Sequence, residues 1–324
     1  MKYRPFGKTG WNVSEIGFGG GPLGSGWGPQ SDEDSIQALH TALDLGCNFI
    51  DTALGYGDGK SETLIGKVLK ERGGERVYVS TKVPPVPGSW PPAFYDKVEE
   101  RYPEKHLREG VESCLRRLQT DCLDVLHLHT WTRAWNRNPV ALETLRTLKQ
   151  EGKIGAIAIS SPECDQNSLI DLMRGGWLDA VQVIYNIFEQ EAMAELFPVA
   201  RECGVGVIVR VPLDESALAG KFTRETKLFP EDFRSRYFSG DRMPRTVERV
   251  EKIRTTVGTA EQDLATAALK FAMKPAAVSV IIPGMRNAGQ ARRNCAVSDQ
   301  LPLSDELESA LRLHHWSRGN WYEG

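Results

Sequence analysis

The stretch LDVLHLHTWTRAWNRNPVALETLRTLKQEGKIGAIAIS, residues 123–160, reads as one complete structural unit. LDVLHLH (123–129) is a short aliphatic run. NPVALETLRTLKQEGK (138–153) carries apolar side chains at helical spacing and closes on Gly152 and Lys153. GAIAIS (155–160) is a second apolar run. A strand, a helix and a strand in this order pair in parallel, because a crossover of this kind needs a dozen or more residues. The unit recurs outward in both directions. Before it lie SEIGF (14–18), NFID (48–51) and RVYVSTK (76–82); after it come AVQVIY (180–185), VGVIVR (205–210) and AVSVIIPG (277–284). SDEDSIQALHTALDLG (31–46), EKHLREGVESCLRRLQ (104–119) and AMAELFPVARECG (192–204) supply amphipathic stretches between them. Eight strands this apolar are buried on both faces, and eight such units close into a (β/α)8 barrel, the α/β TIM-barrel class. The competing doubly wound sheet would carry a glycine-rich loop running straight into a helix. GFGGGPLGSG (17–26) is glycine-rich, but its helix starts only near Ser31.

The chain has 324 residues, 40% of them hydrophobic, enough to bury one barrel-sized core, and a single domain over 1–324 is expected. YRPFGKTGWNVS (3–14) predicts a small N-terminal hairpin turning at Gly7 to Gly10. A net charge of −3 and a pI near 6.1 offer no basic field for nucleic acid or an anionic membrane. MKYRPFGKTG has no apolar signal-like stretch, and no run is long enough to span a bilayer. Cysteines 47, 114, 122, 164, 203 and 295 are scattered without pair spacing, as reduced thiols of a cytoplasmic protein would be. Two long connections, VPPVPGSWPPAFYDKVEERYP (83–103) and Lys221 to about Arg245, are expected as functional loops on the C-terminal face.

Barrel enzymes gather their chemistry where strands end. Here the ends bear Asp51, Lys82, His129, Ser160 with Ser161, Gln182, Arg210, and Pro283 with Gly284, whereas the opposite ends begin with small or apolar residues. This asymmetry points to an enzyme with a small-molecule substrate. His127 and His129 share one face of a strand, a pattern that can bind metal. His40, His106, His314 and His315 fall at no strand end, so no metal site is expected and His127 is read as packed inside the barrel.

DTALGYG (51–57), STK (80–82) and LHLH (126–129) resemble the catalytic motifs of the aldo-keto reductases. The likeness continues through EGKIGAIAISS (151–161), VQVIYN (181–186), VPLDESALAGK (211–221) and IIPGMRNAGQARRN (281–294). The resemblance implies a barrel that binds NADPH (an NADP cofactor) without a Rossmann domain and reduces an aldehyde, ketone or sugar carbonyl, or oxidises the corresponding alcohol. It assigns catalysis to Asp51, Tyr56, Lys82 and His129. Cofactor binding falls to Gly20, Ser160, Ser161, Gln182, Arg210, Leu213, Gly220, Lys221, Gly284, Arg286, Gln290 and Asn294, with Arg286 at the 2′-phosphate and Arg293 in support. The chemistry is coherent: a tyrosine with a pKa of ~10 is a poor acid at neutral pH, and an ammonium beside it lowers that value. Departures from the family pattern are Ser161 where Asn is usual, Arg210 where a stacking Tyr is common, and Asp214 with Glu215 in the pyrophosphate strap.

Trp27, Trp90, Trp131 and Trp135 fall in strand-to-helix loops, and Trp316 and Trp321 in the tail HHWSRGNWYEG (314–324). Rings there suit flat apolar or sugar ligands, and Trp27, Trp90, Trp131 and Trp316 are expected at the substrate. Two other readings remain open at this stage: a redox-neutral sugar lyase or isomerase with a retained cofactor, and a non-catalytic NADPH-sensing subunit.

Overall fold

The computed structural model describes residues 1–24, 26–74, 76–258 and 263–316. A hairpin opens the chain, β1 (Tyr3–Pro5) antiparallel to β2 (Asn12–Ser14), with Tyr3 opposite Ser14. Eight parallel strands follow: β3 (Phe18–Gly19), β4 (Phe49–Asp51), β5 (Tyr78–Val83), β6 (Leu123–Leu128), β7 (Ile154–Ser160), β8 (Ala180–Ile184), β9 (Gly206–Arg210) and β10 (Val278–Ile281). They pair in sequence order from β3 to β10. The two ends of that order meet: Gly17 N donates to Ile281 O at 2.8 Å and Gly19 N to Pro283 O at 3.0 Å, with parallel bridges at Ile16–Ile281 and Gly19–Gly284. The barrel expected from the eight apolar runs is therefore present, and the hairpin precedes it.

One boundary differs from the sequence expectation. Residues 14–18 were expected as the first barrel strand, with Ser14 also closing the hairpin; Ser14 does pair in the hairpin, and the barrel strand is only Phe18–Gly19. The chain changes partner within two residues, since Glu15 N still donates to Lys2 O while Glu15 O already accepts from Ile281 N.

Alternation along the strands explains where the site forms. Ile50, Leu126, Leu128, Ile157, Val181 and Val207 face outward into the large core shared with the helices. The inward face begins apolar. Phe49, Val125, Ala156, Ala158, Ala180, Ile208 and Val280 form a separate cluster with Phe6 and Val13, so the hairpin plugs the barrel floor. Two residues further along the same inward face stand Asp51, His127, Ser160, Gln182 and Arg210. The barrel interior thus changes from an apolar plug to a polar layer at its C-terminal end.

The two long connections are more ordered than loops. Residues 83–103 include a short helix, Val98–Arg101, and Arg101 pins the segment by donating to Asp96 Oδ2 at 2.8 Å and Ser89 O at 2.9 Å. The second connection includes a helix at Arg234–Tyr237 before the long helix Arg242–Val257. Among the described residues no helix is long and apolar enough to cross a membrane.

Candidate active site

At the C-terminal face lies a cavity of about 940 Å³, lined by Asp51, Tyr56, His129 and Arg210 at one end and by Arg286, Gln290, Arg293 and Asn294 at the other. That volume sits at the top of the ~300–1,000 Å³ range of small-molecule sites.

Lys82 and Asp51 anchor its floor. Lys82 is fully buried and Asp51 is 2% exposed. Lys82 Nζ donates to Asp51 Oδ1 at 2.5 Å, to Thr52 O at 2.7 Å and to Tyr56 Oη at 3.5 Å. Asp51 Oδ2 accepts from Ser80 Oγ at 3.0 Å and from Gln182 Nε2 at 2.8 Å. Both carboxylate oxygens are hydrogen-bonded, one to Lys82 and the other to two neutral donors, which makes this buried pair tolerable. Burial pulls the Lys82 pKa down, but Asp51 and then Tyr56 outweigh it and the net shift is upward. The environment therefore favours the ammonium form of Lys82 beneath the tyrosine.

Tyr56 is held by its loop. Gly20 N donates to Asp51 O at 2.7 Å, and Thr52 Oγ1 donates to Ser61 Oγ, which donates on to Gly20 O. Gly57 has a φ of 64° and packs against Gly24, so that a Cβ on either would clash with the backbone of the facing segment. Only glycine permits that approach.

His129 lies at the end of β6 with its ring 5.9 Å from that of Tyr56 and 5.3 Å from that of Trp90. Burial first, then Lys82 and Arg210, hold its pKa well below the usual histidine range. This environment favours the neutral imidazole. His127 is likewise depressed by burial and by Lys82, and Ser80 Oγ meets its Nε2 at 2.8 Å.

The other expected site residues divide by location. Ser160, Gln182, Arg210, Leu213, Lys221, Gly284, Arg286, Gln290 and Asn294 line the cavity, as do Trp27 and Trp90. Gly20, Ser161, Gly220 and Lys82 lie behind that wall. Ser161 is buried and its Oγ has no hydrogen-bond partner. Trp131 is fully buried, stacked edge-on against Trp135 with its Nε1 donating to Asn136, so the structure does not bring it to the cavity. Trp316 also sits elsewhere, against Phe188 and under the Arg249 guanidinium. Trp321 lies outside the described residues.

Arg210 is engaged, with Nη2 donating to Ser161 O at 3.0 Å and pairing with Glu163 at 3.2 Å. Asp214 turns inward to accept from the Tyr237 hydroxyl at 3.2 Å, whereas Glu215 faces the cavity. The strap holds Val211, Asp214, Glu215 and Ser216 at positive φ, a conformation costly for a β-branched Val.

Sequence reading missed Phe233 and Arg234. Arg234 pairs with Asp232, donates to Ser216 Oγ at 3.0 Å and lies 4.8 Å over the Trp27 ring, while Phe233 N donates to Gly26 O at 3.1 Å. The length of the loop after Lys221 was the available signal, but nothing in it marks which residues reach across the barrel.

An extended dinucleotide fits these residues. The cavity is polar at the strand ends and cationic beside the helix Ala288–Ala296, where Arg286 and Arg293 line it. The Ser161 hydroxyl, next to Ser160 and with its own N–H donated to Gln182 O, is a further buried polar group with no partner.

Comparison with known proteins agrees with this geometry. The sequence profile described as the Aldo/keto reductase family matches residues 15–312. The NADH-specific methylglyoxal reductase of Escherichia coli is 30% identical, over 96% of this chain and 98% of that protein. The L-galactose dehydrogenase of Arabidopsis thaliana is 29% identical over 93% and 89% of the two chains. Among solved structures, the holo form of an aldo-keto reductase from Bacillus halodurans superposes with a TM-score of 0.77 at 25% identity, covering 97% of this chain and 96% of that one.

Proposed function

The chain belongs to the aldo/keto reductase family of nicotinamide-dependent oxidoreductases, and from that membership we propose that it reduces the carbonyl of a small aldehyde, ketone or sugar with Tyr56 as the proton donor. One observation carries the reading: the buried Lys82 Nζ lies 3.5 Å from the Tyr56 hydroxyl on the cavity floor, with Asp51 at 2.5 Å behind it.

When bound, the nicotinamide would supply the hydride. Negative charge then builds on the carbonyl oxygen and must be met by a proton. Tyr56 Oη gives that proton. The ammonium of Lys82 stabilises the phenolate left behind, which is how a phenol serves as an acid near neutral pH. Asp51 keeps Lys82 protonated and fixed. His129, neutral and next to Tyr56, donates a hydrogen bond that orients the carbonyl.

Ser160 and Gln182 would hold the nicotinamide amide. Leu213, Gly220 and Lys221 would strap the pyrophosphate, with Gly284 on the cavity wall giving it room and Gly20, behind the wall, supporting the loop that carries Tyr56. Gln290 and Asn294 would hold the adenosine end. Arg286, supported by Arg293, would bind a 2′-phosphate, which favours NADPH over NADH; a bidentate guanidinium suits a phosphate. Trp27 and Trp90 would flank the substrate. One domain spanning 1–324 carries the whole site, and six free cysteines suit the reducing cytoplasm.

The test is titration of the protein with NADPH and NADH by fluorescence, then aldehyde, ketone and sugar substrates followed by nicotinamide absorbance. NADPH is expected to bind more tightly than NADH, and absorbance to fall with at least one carbonyl class. Failure to bind either nucleotide would sink the proposal.

A further inference from the structure

We infer that Gln30 is a positioning residue for nucleotide selection, acting by locking Arg286 in place. The inference rests on the proposed NADPH reading and adds a residue that does not itself line the cavity.

Gln30 precedes Ser31, the N-cap of the helix Asp32–Asp44, and lies 256 residues from Arg286 in the chain. Its amide is used at both ends on that one residue. Gln30 Oε1 accepts from Arg286 Nε at 3.0 Å, and Gln30 Nε2 donates to Arg286 O at 2.6 Å. Gln30 Nε2 also donates to Ser35 Oγ at 3.0 Å, tying the amide to the first turn of the helix. Pro29 O accepts from Arg286 Nη2. On the far side, Arg286 N donates to Gln290 Oε1 at 2.7 Å. The guanidinium and the carbonyl of Arg286 are therefore fixed by Gln30 and Pro29, outside the cavity, and its N–H by Gln290 on the cavity wall.

A guanidinium has five N–H donors in a rigid fork. Nε and one donor on Nη2 are spent on residues 29 and 30. Both donors of Nη1 and the second of Nη2 remain, on a side chain that lines the cavity. The surrounding field favours an anion there, since burial first and Arg234 next both press the Arg286 pKa downward, against weaker opposition from Asp232 and Asp34. Released from Gln30, the arginine would spread over many rotamers, and binding a phosphate would have to order it again. Gln30 removes that requirement in advance. NADH has no 2′-phosphate and gains nothing from the lock, so Gln30 acts on the choice between nucleotides and not on nucleotide binding in general.

The experiment measures Kd for NADPH and for NADH by fluorescence quenching in wild type, Gln30→Met, Gln30→Glu, Arg286→Met and the Gln30→Met/Arg286→Met double variant. Gln30→Met keeps the length of the side chain and loses both hydrogen bonds. It is expected to weaken NADPH about tenfold, or 1.4 kcal/mol, with NADH changed less than twofold. Gln30→Glu keeps the acceptor, loses the donor and adds a carboxylate near the phosphate, so NADPH should weaken further, about a hundredfold. In the Arg286→Met background, Gln30→Met should have no additional effect on NADPH, because a residue that works through Arg286 is silent without it. Equal losses for both nucleotides, a Gln30→Met loss that persists without Arg286, or no loss at all would overturn the inference. NADH binding and far-ultraviolet circular dichroism report whether each variant folds. A wild-type protein that binds neither nucleotide refutes the functional proposal itself, and one that binds NADH alone refutes both the NADPH assignment and the lock. Tight NADPH binding with an indifferent Gln30→Met refutes the lock only.

Discussion

Replacing Asp51 by Asn keeps the shape of the site and removes the charge that compensates Lys82. Three donors converge on the carboxylate: Lys82 Nζ on Oδ1, and Ser80 Oγ with Gln182 Nε2 on Oδ2. Asn has a single oxygen to offer, so its NH2 group must face either the ammonium or the two neutral donors. In either orientation Lys82, with a side chain 1% exposed, would be left in the barrel with neutral partners and no counter-charge. Breaking a buried pair from one side costs about 3–5 kcal/mol, whereas replacing both members by neutral groups of similar size is close to neutral. Asp51→Asn should therefore lower the melting temperature by about 6–15 °C, at roughly 2–3 °C per kcal/mol. The Asp51→Asn/Lys82→Met double variant should recover most of that stability and none of the activity. Urea unfolding followed by tryptophan fluorescence, with turnover measured on the same samples, separates the two effects. An Asp51→Asn protein within about 0.5 kcal/mol of wild type, or a double variant as unstable as the single one, would refute the reasoning.

Further outcomes follow from the same structure. His127 and His129 are both held well below the usual 6.5 by burial and by Lys82. The unfolded chain therefore binds protons below pH 6.5 that the folded protein does not. Their contribution to stability is complete above about pH 6.5 and falls as pH drops beneath it, by up to about 1.4 kcal/mol per pH unit for each ring; either ring titrating near 6.5 by NMR in the folded protein would contradict this. Trp131→Ala should destabilise by about 3–5 kcal/mol as a core truncation, whereas Trp90→Ala, at a half-exposed cavity wall, should raise KM with little change in urea midpoint; the reverse pattern would show that Trp131 is the ligand contact. Arg234→Ala removes the contacts to Ser216 and Trp27 and is expected to speed nucleotide release by stopped-flow fluorescence several-fold, and an unchanged off-rate would place Arg234 outside the nucleotide's path.

The sequence carried the barrel well because its signal is periodic: each apolar run with its following amphipathic stretch appears in the structure near its expected place. The strand-end polar layer was legible for the same reason, since alternate positions on a strand share a face and Asp51, His127 and Gln182 each stand two residues beyond an apolar inward neighbour. The first barrel strand was read as starting too early, at Ser14, because a residue leaving a hairpin and one entering a barrel strand have the same local pattern; only the partner distinguishes them. Tryptophans in loops were read as ligand contacts from their position in the chain, but whether an indole faces a cavity or the core depends on neighbours far away. Trp131 turns inward onto Trp135, Trp90 outward toward His129. Gln30 and Arg234 were invisible for a related reason, because each acts through partners brought in by closure of the barrel.

In the proposed reaction Tyr56 donates the proton with Lys82 behind it. The most direct measurement is a single-turnover reaction of Tyr56→Phe, loaded with the nucleotide that wild type binds best, against the carbonyl substrate that wild type turns over fastest. The expected result is a chemical step slower by about 10²–10⁴-fold, with the nucleotide Kd within twofold of wild type. A Tyr56→Phe enzyme that reduces the substrate at the wild-type rate would contradict the account.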